Sequence, residues 1–141
     1  MKVTNSIKQK WAEMLMGDFS PHGIALGLAV GTFIALLPSF GFSALLALGF
    51  IFIFPKINRP TVFIAIMIWN PVVQIPIYAI SYQLGSILFE GMTVIEYNFE
   101  VLNQIYSFTR RFLVAHLIVS TVITVATYLL SLAYLQFKFR N

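Results

Sequence analysis

The groups able to do chemistry within the apolar stretches of this chain are neutral and few. Asn70, Gln74, Tyr78, Ser81 and Tyr82 lie in one such stretch and Ser39 in another, while all five acidic residues lie outside them. Amides and hydroxyls in that setting serve hydrogen-bond recognition rather than acid–base work. Glu96 and Glu100 share a helical face at i, i+4, a spacing that suits paired acid–base chemistry as well as a solvated face. His22 and His116 are single and neither has an i, i+4 metal partner. For His116, about a turn inside the last apolar run, a hydrogen bond to a hydroxyl competes with a role in proton transfer. No catalytic constellation emerges, so the residues predict neither an enzyme nor a metal or cofactor site.

A second source of chemistry is the backbone. The apolar run in residues 20–54 is interrupted at Pro38 and Gly41, and the run in residues 60–89 at Asn70-Pro71 and again at Pro76. Each break starts a new half-helix, and a helix N-terminus offers free N–H groups and partial positive charge. Broken helices whose ends meet inside a membrane are one way transporters hold anionic groups. Asn70, Gln74, Tyr78, Tyr82 and Ser39 then form a candidate binding site, with Arg59 beside Lys56 placed to attract a phosphate at its mouth. The same Asn70, Pro71 and Gln74 also suit a purely structural role, capping and satisfying the break.

The elements that must position these groups follow from length. Residues 23–54 exceed the roughly 20 needed for one membrane helix and fall short of the roughly 40 needed for two. The arms 23–37 and 42–54 reach about 20 Å each at about 1.5 Å per residue, less than the roughly 30 Å hydrocarbon core. The expected form of residues 20–54 is a helical hairpin that turns at residues 37–41 and leaves by the face it entered. Something must cover that turn, because exposed backbone at such depth is tolerated only inside protein or a wet cavity. Ser20-Pro21 supplies an N-cap and a proline at the first helical position. Gly23, Gly27 and Gly31 recur every four positions and form a small-residue stripe for close helix packing. Residues 60–89 pose the same length problem and form a second broken helix or re-entrant hairpin, with a kink at Pro76.

Two amphipathic helices and one ordinary span complete the expected plan. In residues 3–16, Val3, Ile7, Trp11, Met14 and Leu15 recur at helical spacing opposite Lys8, Gln9, Lys10 and Glu13, which suits a helix on the membrane surface or against the protein's own body. Residues 93–108 open with Thr93 and Glu96 in capping-box spacing and present an acidic face. Residues 110–137 follow Arg110-Arg111 with an uncharged run that lacks proline and glycine and ends before Lys138 and Arg140, the pattern of a transmembrane helix. Ser120, Thr121, Thr124, Thr127 and Ser131 give it a hydroxyl-bearing side turned toward protein. The fold class is therefore all-α: a polytopic integral membrane protein, one domain over residues 1–141, with two broken or re-entrant hairpins, one full transmembrane helix and two surface helices.

Composition sets the same class. With 59% hydrophobic and 10% charged residues over 141 positions and a mean hydropathy of +0.86, the chain departs far from soluble domains, which carry about 25% charge. The absence of cysteine removes disulfides, thiolate metal sites and thiol catalysis. A net charge of +4 suits contact with anionic lipid, and no basic cluster beyond Arg110-Arg111 points to nucleic acid. If both long runs are re-entrant, Lys2, Lys8, Lys10, Lys56, Arg59, Arg110 and Arg111 share the side opposite Lys138 and Arg140. That asymmetry follows the positive-inside rule and places most of the basic loops in the cytoplasm of a multi-pass cell-membrane protein.

Ser20-Pro21, Ile24-Ala25, Gly27, Ala29 and Gly31, then Pro38, Gly41, Asn58, Pro60, Asn70-Pro71, Pro76, Tyr78, Tyr82, Leu84 and Gly85, resemble the prokaryotic domain-of-unknown-function family "twenty sixty-two" over about residues 18–91. The resemblance implies a small integral membrane domain, attached in some relatives to glycosyltransferase domains, with no established activity. Two functions are then expected. The first is transport or translocation of an anionic lipid or small anion in a homo-oligomer, because two hairpins and one span cannot enclose a path. The second is a non-transporting scaffold or recruiting subunit in envelope lipid or glycan metabolism, assembled through the glycine stripe and the surface helices.

Overall fold

A computed structural model describes residues 5–9, 19–39, 42–91 and 100–141, and these are almost entirely helical, with no strand among them. Residues 5–9 are helical; the rest of residues 3–16, the capping box at Thr93 and Glu96, and Gly41 lie outside the described residues.

Helix α1 (Pro21–Leu36) begins where Ser20 Oγ accepts the Gly23 N–H at 3.1 Å. It stops at Leu36 because Leu37 precedes Pro38, whose ring disfavours helical dihedrals in the residue before it; Leu37 is extended at φ −63°, ψ 141°. Helix α2 (Ser43–Ile53) follows the break. Helix α3 (Arg59–Ile68) is capped by Asn58, whose Oδ1 accepts the Thr61 N–H at 3.2 Å while the Thr61 hydroxyl donates back to the Asn58 carbonyl at 2.7 Å. Helix α4 (Pro71–Leu88) is capped by Asn70 and continues through Pro76 without interruption.

The glycine stripe fixes how α1 meets α3. The Gly23 carbonyl accepts the Asn58 N–H at 3.2 Å. A Cβ on Gly27 would lie 2.6 Å from the Asn58 carbonyl oxygen and overlap the Thr61 hydroxyl, and one on Gly31 would lie 2.7 Å from Ala65 Cβ and overlap the Val62 carbonyl. Further along, Trp69 Nε1 donates to Thr32 Oγ1 at 2.9 Å. The partners advance together along both helices, so α1 and α3 run parallel and in direct contact, and the chain returns through α2 to the level of Gly23. Ile34, Ala47, Ile57 and Val62 form the buried core of this three-helix unit.

Between α3 and α4 the chain turns by 72° at Trp69-Asn70. α4 leaves the three-helix unit and lies along the last helix, α5 (Glu100–Arg140). Here the structure corrects one expectation: residues 100–108 are no separate surface helix but the first turns of the 41-residue α5. The reason is local, since no residue between 100 and 140 is proline or glycine and nothing at Arg110-Arg111 interrupts the hydrogen-bond ladder.

At about 1.5 Å per residue α5 is roughly 60 Å long. It runs antiparallel to α1, pairing His22 with Tyr128 and Leu36 with His116. It is antiparallel to α4 as well, pairing Ser81 with His116 and Tyr82 with Phe108. α1 and α4 therefore lie end to end along α5, and His116 sits at their junction. Among the described helices α5 alone is long and apolar enough to cross a membrane, and 17% of its apolar window is covered by the rest of the chain. The core helix of a soluble protein would be mostly covered. Ser120 is buried, whereas the adjacent Thr121 is exposed and satisfies its hydroxyl on the Leu117 carbonyl at 2.8 Å. The hydroxyl-bearing residues therefore divide between protein and surroundings, because neighbours on a helix point about 100° apart.

Candidate functional site

The last carbonyls of a helix have no partner within it, and those of α1 end at a break inside the fold. Two side chains from distant segments satisfy them. Gln74 Nε2 donates to the Ala35 carbonyl at 3.1 Å and to the Trp69 carbonyl at 2.6 Å, bridging the ends of α1 and α3. His116 Nε2 donates to the Leu36 carbonyl at 2.6 Å. Because that carbonyl can only accept, Nε2 carries the proton in this geometry. His116 Nδ1 faces Ser81 Oγ at 2.9 Å, and Ser81 Oγ also lies 2.8 Å from the Ile77 carbonyl. The imidazole is fully buried, stacked on Phe112 with ring centroids 5.2 Å apart, and tilted against Tyr78 at the same separation. The cover required over the first break is thus Gln74 and His116, the latter bound to a hydroxyl as one reading of the sequence expects.

Beside this junction lies a cavity of about 1100 Å³. Both half-helix N-termini reach it: Ser43 and Ala44 from α2, Asn70 and Pro71 from α4. The two ends differ in state. Asn70 Oδ1 accepts the Val72 and Val73 N–H groups at 3.0 and 3.2 Å, so α4 is capped by its own side chain. No side chain caps α2; Ser39 and Ser43 instead join their hydroxyls at 2.7 Å on the cavity wall. Ile66, Met67, Leu113 and two aromatic rings, Phe108 and Phe112, form an apolar wall. Tyr78 is the only titratable side chain lining the space, and its hydroxyl donates to Gln74 Oε1.

Four of the six candidate binding residues, Ser39, Asn70, Gln74 and Tyr78, therefore meet at one cavity, and two do not. Tyr82 borders a separate groove with Arg111. Arg59, with Lys56 just before it, stands at the opposite end of α3, seven residues from Ile66 on the cavity wall and so roughly 10 Å along the helix. Because α3 runs parallel to α1, its N-terminal arginine lies toward the start of α1 and not at the break. Ser43, Trp69, Phe108, Thr109 and Phe112 line the cavity without having been singled out by sequence. A signal for the aromatic residues exists in the i, i+4 spacing of Tyr78 with Tyr82 and of Phe108 with Phe112 and His116. Those two rows interlock, with Tyr78 on Phe112 and Tyr82 on Phe108 at centroid separations of 5.8 Å.

The chain matches no curated protein and no solved structure. A family match covers nearly the whole length, residues 4–141, and extends well past residues 18–91. On that match the chain belongs to DUF2062, a family of uncharacterized proteins conserved in bacteria.

Proposed function

We propose that this is a multi-pass membrane protein that binds a lipid-class amphiphile in the cavity beside the α1 break and translocates its polar end through the bilayer. The observation that carries this reading is the convergence of two half-helix N-termini on one cavity, with hydrogen-bonding groups at one end and an apolar wall at the other. An uncapped α2 N-terminus offers donors to an anionic or strongly polar group, while Ile66, Met67 and Leu113 suit a hydrocarbon chain. In this reading α1 and α2 are a re-entrant pair, since the chain returns from Gly23 to the level of Asn58, and the basic loops face the cytoplasm.

The outer surface supports a bilayer setting: Phe52 and Leu130 are 85% and 72% exposed. A single chain does not enclose a path, so translocation calls for copies assembled in the membrane. For the scaffold reading the glycine stripe is already occupied, because α3 of the same chain covers Gly27 and Gly31, which leaves the surface helices as its contact surface.

The test is reconstitution in liposomes with a short-chain fluorescent anionic lipid. The wild-type chain is expected to speed its passage between leaflets, and Ala44→Trp, which fills the cavity from an exposed position, is expected to stop it while leaving helicity intact. Passage at the rate of empty liposomes, or full activity in Ala44→Trp, would overturn the reading.

A further inference from the structure

The cavity lacks a cation, yet one stands next door. Where α4 and α5 cross, a polar groove of about 480 Å³ is lined by Tyr82, Asn103, Gln104, Ser107 and Arg111, and at its far end by Glu100, about three helical turns from the arginine. Phe108 borders both this groove and the apolar cavity, so one ring separates the two spaces. It is held between Tyr82, 5.8 Å away, and Phe112, on which it stacks at 5.8 Å with ring planes 3° apart.

Arg111 is fixed in place through its backbone. A Cβ on Gly85 would lie 2.8 Å from the Arg111 carbonyl carbon, so α4 and α5 are in backbone contact at this point. The two neighbouring arginines are used differently. Arg110 lies over the Phe89 ring, 4.7 Å from its centroid. Arg111 is half-buried, directed to the groove, and paired with no acidic side chain among the described residues. It is also the last charge before the uncharged run from Phe112, so in a spanning α5 it stands at the boundary of the hydrocarbon layer, where lipid phosphates lie.

The geometry points to the Arg111 groove as a binding site for the phosphate headgroup of a phospholipid-class amphiphile, with its hydrocarbon chains passing Phe108 into the cavity. This rests on the cavity reading above and adds to it the class of ligand and the residue that selects it. A planar guanidinium matches a phosphate with paired hydrogen bonds. Gln104, Ser107 and Tyr82 supply neutral polar groups around it, and the Phe108–Phe112 pair gives the chains an apolar surface to follow. Lipid phosphate, rather than free phosphate, is the ligand because the groove opens onto apolar space instead of closing around an ion.

The test uses the full chain carrying Trp11→Phe, which leaves Trp69, a cavity residue, as the sole tryptophan. Quenching of Trp69 is followed in neutral detergent with bromine-labelled phosphatidic acid, with diacylglycerol bearing the same chains, and with inorganic phosphate as competitor. Phosphatidic acid is expected to act at about ten- to hundredfold lower concentration than diacylglycerol, the range expected for a charge-assisted hydrogen bond. Arg111→Gln should remove that preference and Arg111→Lys restore part of it, with inorganic phosphate displacing neither lipid. The inference fails if a helical Arg111→Gln keeps the preference, or if inorganic phosphate displaces phosphatidic acid. Equal quenching by both lipids, unaffected at Arg111, also overturns the headgroup site yet leaves the cavity reading standing; absence of quenching by either lipid overturns both.

Discussion

The two breaks in the apolar runs solve the same problem in opposite ways. At Trp69-Asn70 the chain closes its own ends: Asn70 caps α4 and Gln74, four residues on, reaches back to the Trp69 carbonyl. At the first break the local bonds among the described residues are backbone turns, with the Ser39 N–H donating to the Leu37 carbonyl at 2.7 Å and the Phe42 N–H to the Ser39 carbonyl at 3.0 Å. The α1 carbonyls are met by Gln74 and His116, the latter 80 residues away, and the α2 N-terminus carries no side-chain cap. A break that satisfies itself is a hinge in a helix. One that relies on distant partners on one side and stays open on the other can hold a ligand.

Substitutions can break or sharpen that contrast. The largest effect is expected at the contact that brings the breaks together: Gly31→Leu would drive a side chain into the Val62 carbonyl and Ala65, costing about 3 kcal/mol or more and giving aggregated protein in detergent. Size-exclusion chromatography reads this directly, and a monodisperse Gly31→Leu protein would show that α1 and α3 are not so closely packed.

His116→Ala comes next. It leaves the Leu36 carbonyl buried without a donor and a hole between Phe112 and Tyr78, for about 3 kcal/mol in unfolding from mixed micelles. Gln74→Ala orphans the Ala35 and Trp69 carbonyls and should cost about 2 kcal/mol by the same assay. If His116→Ala and Gln74→Ala prove as stable as wild type, the first break is not held by distant groups.

Asn70→Ala removes a cap and is expected to cost about 1 kcal/mol, with Asn70→Asp, which still accepts from Val72 and Val73, recovering most of it. The smallest change belongs to the open side. Ser39→Ala loses a single hydroxyl contact at the cavity wall and should shift stability by no more than about 0.5 kcal/mol. A Ser39 effect as large as that of Asn70 would mean that the α2 end is structural and not open.

Much of the framework was legible because its causes are local. N-caps act within three residues and proline constrains its immediate neighbours, so Ser20-Pro21 and Asn70-Pro71 mark helix starts where the structure has them. The Gly23, Gly27, Gly31 period announces a face that accepts a close neighbour. It does not say which neighbour, and the direction of α3 was therefore missed, together with the position of Arg59. The join of residues 100–108 to the last span was missed for another reason: a change from polar to apolar composition marks a change of surroundings, not an end of helix.

By itself the sequence determined an all-α chain of apolar segments broken at Pro38 and at Asn70-Pro71, with one helix fit to cross a membrane. These features depend on hydrophobicity, proline and capping, which operate over a few residues. Only the tertiary structure decided that both breaks share one cavity, that His116 closes α1, and that Arg111 rather than Arg59 stands beside that cavity. Each of those pairings joins residues far apart in the chain, and none exists until α1 and α4 lie end to end along α5.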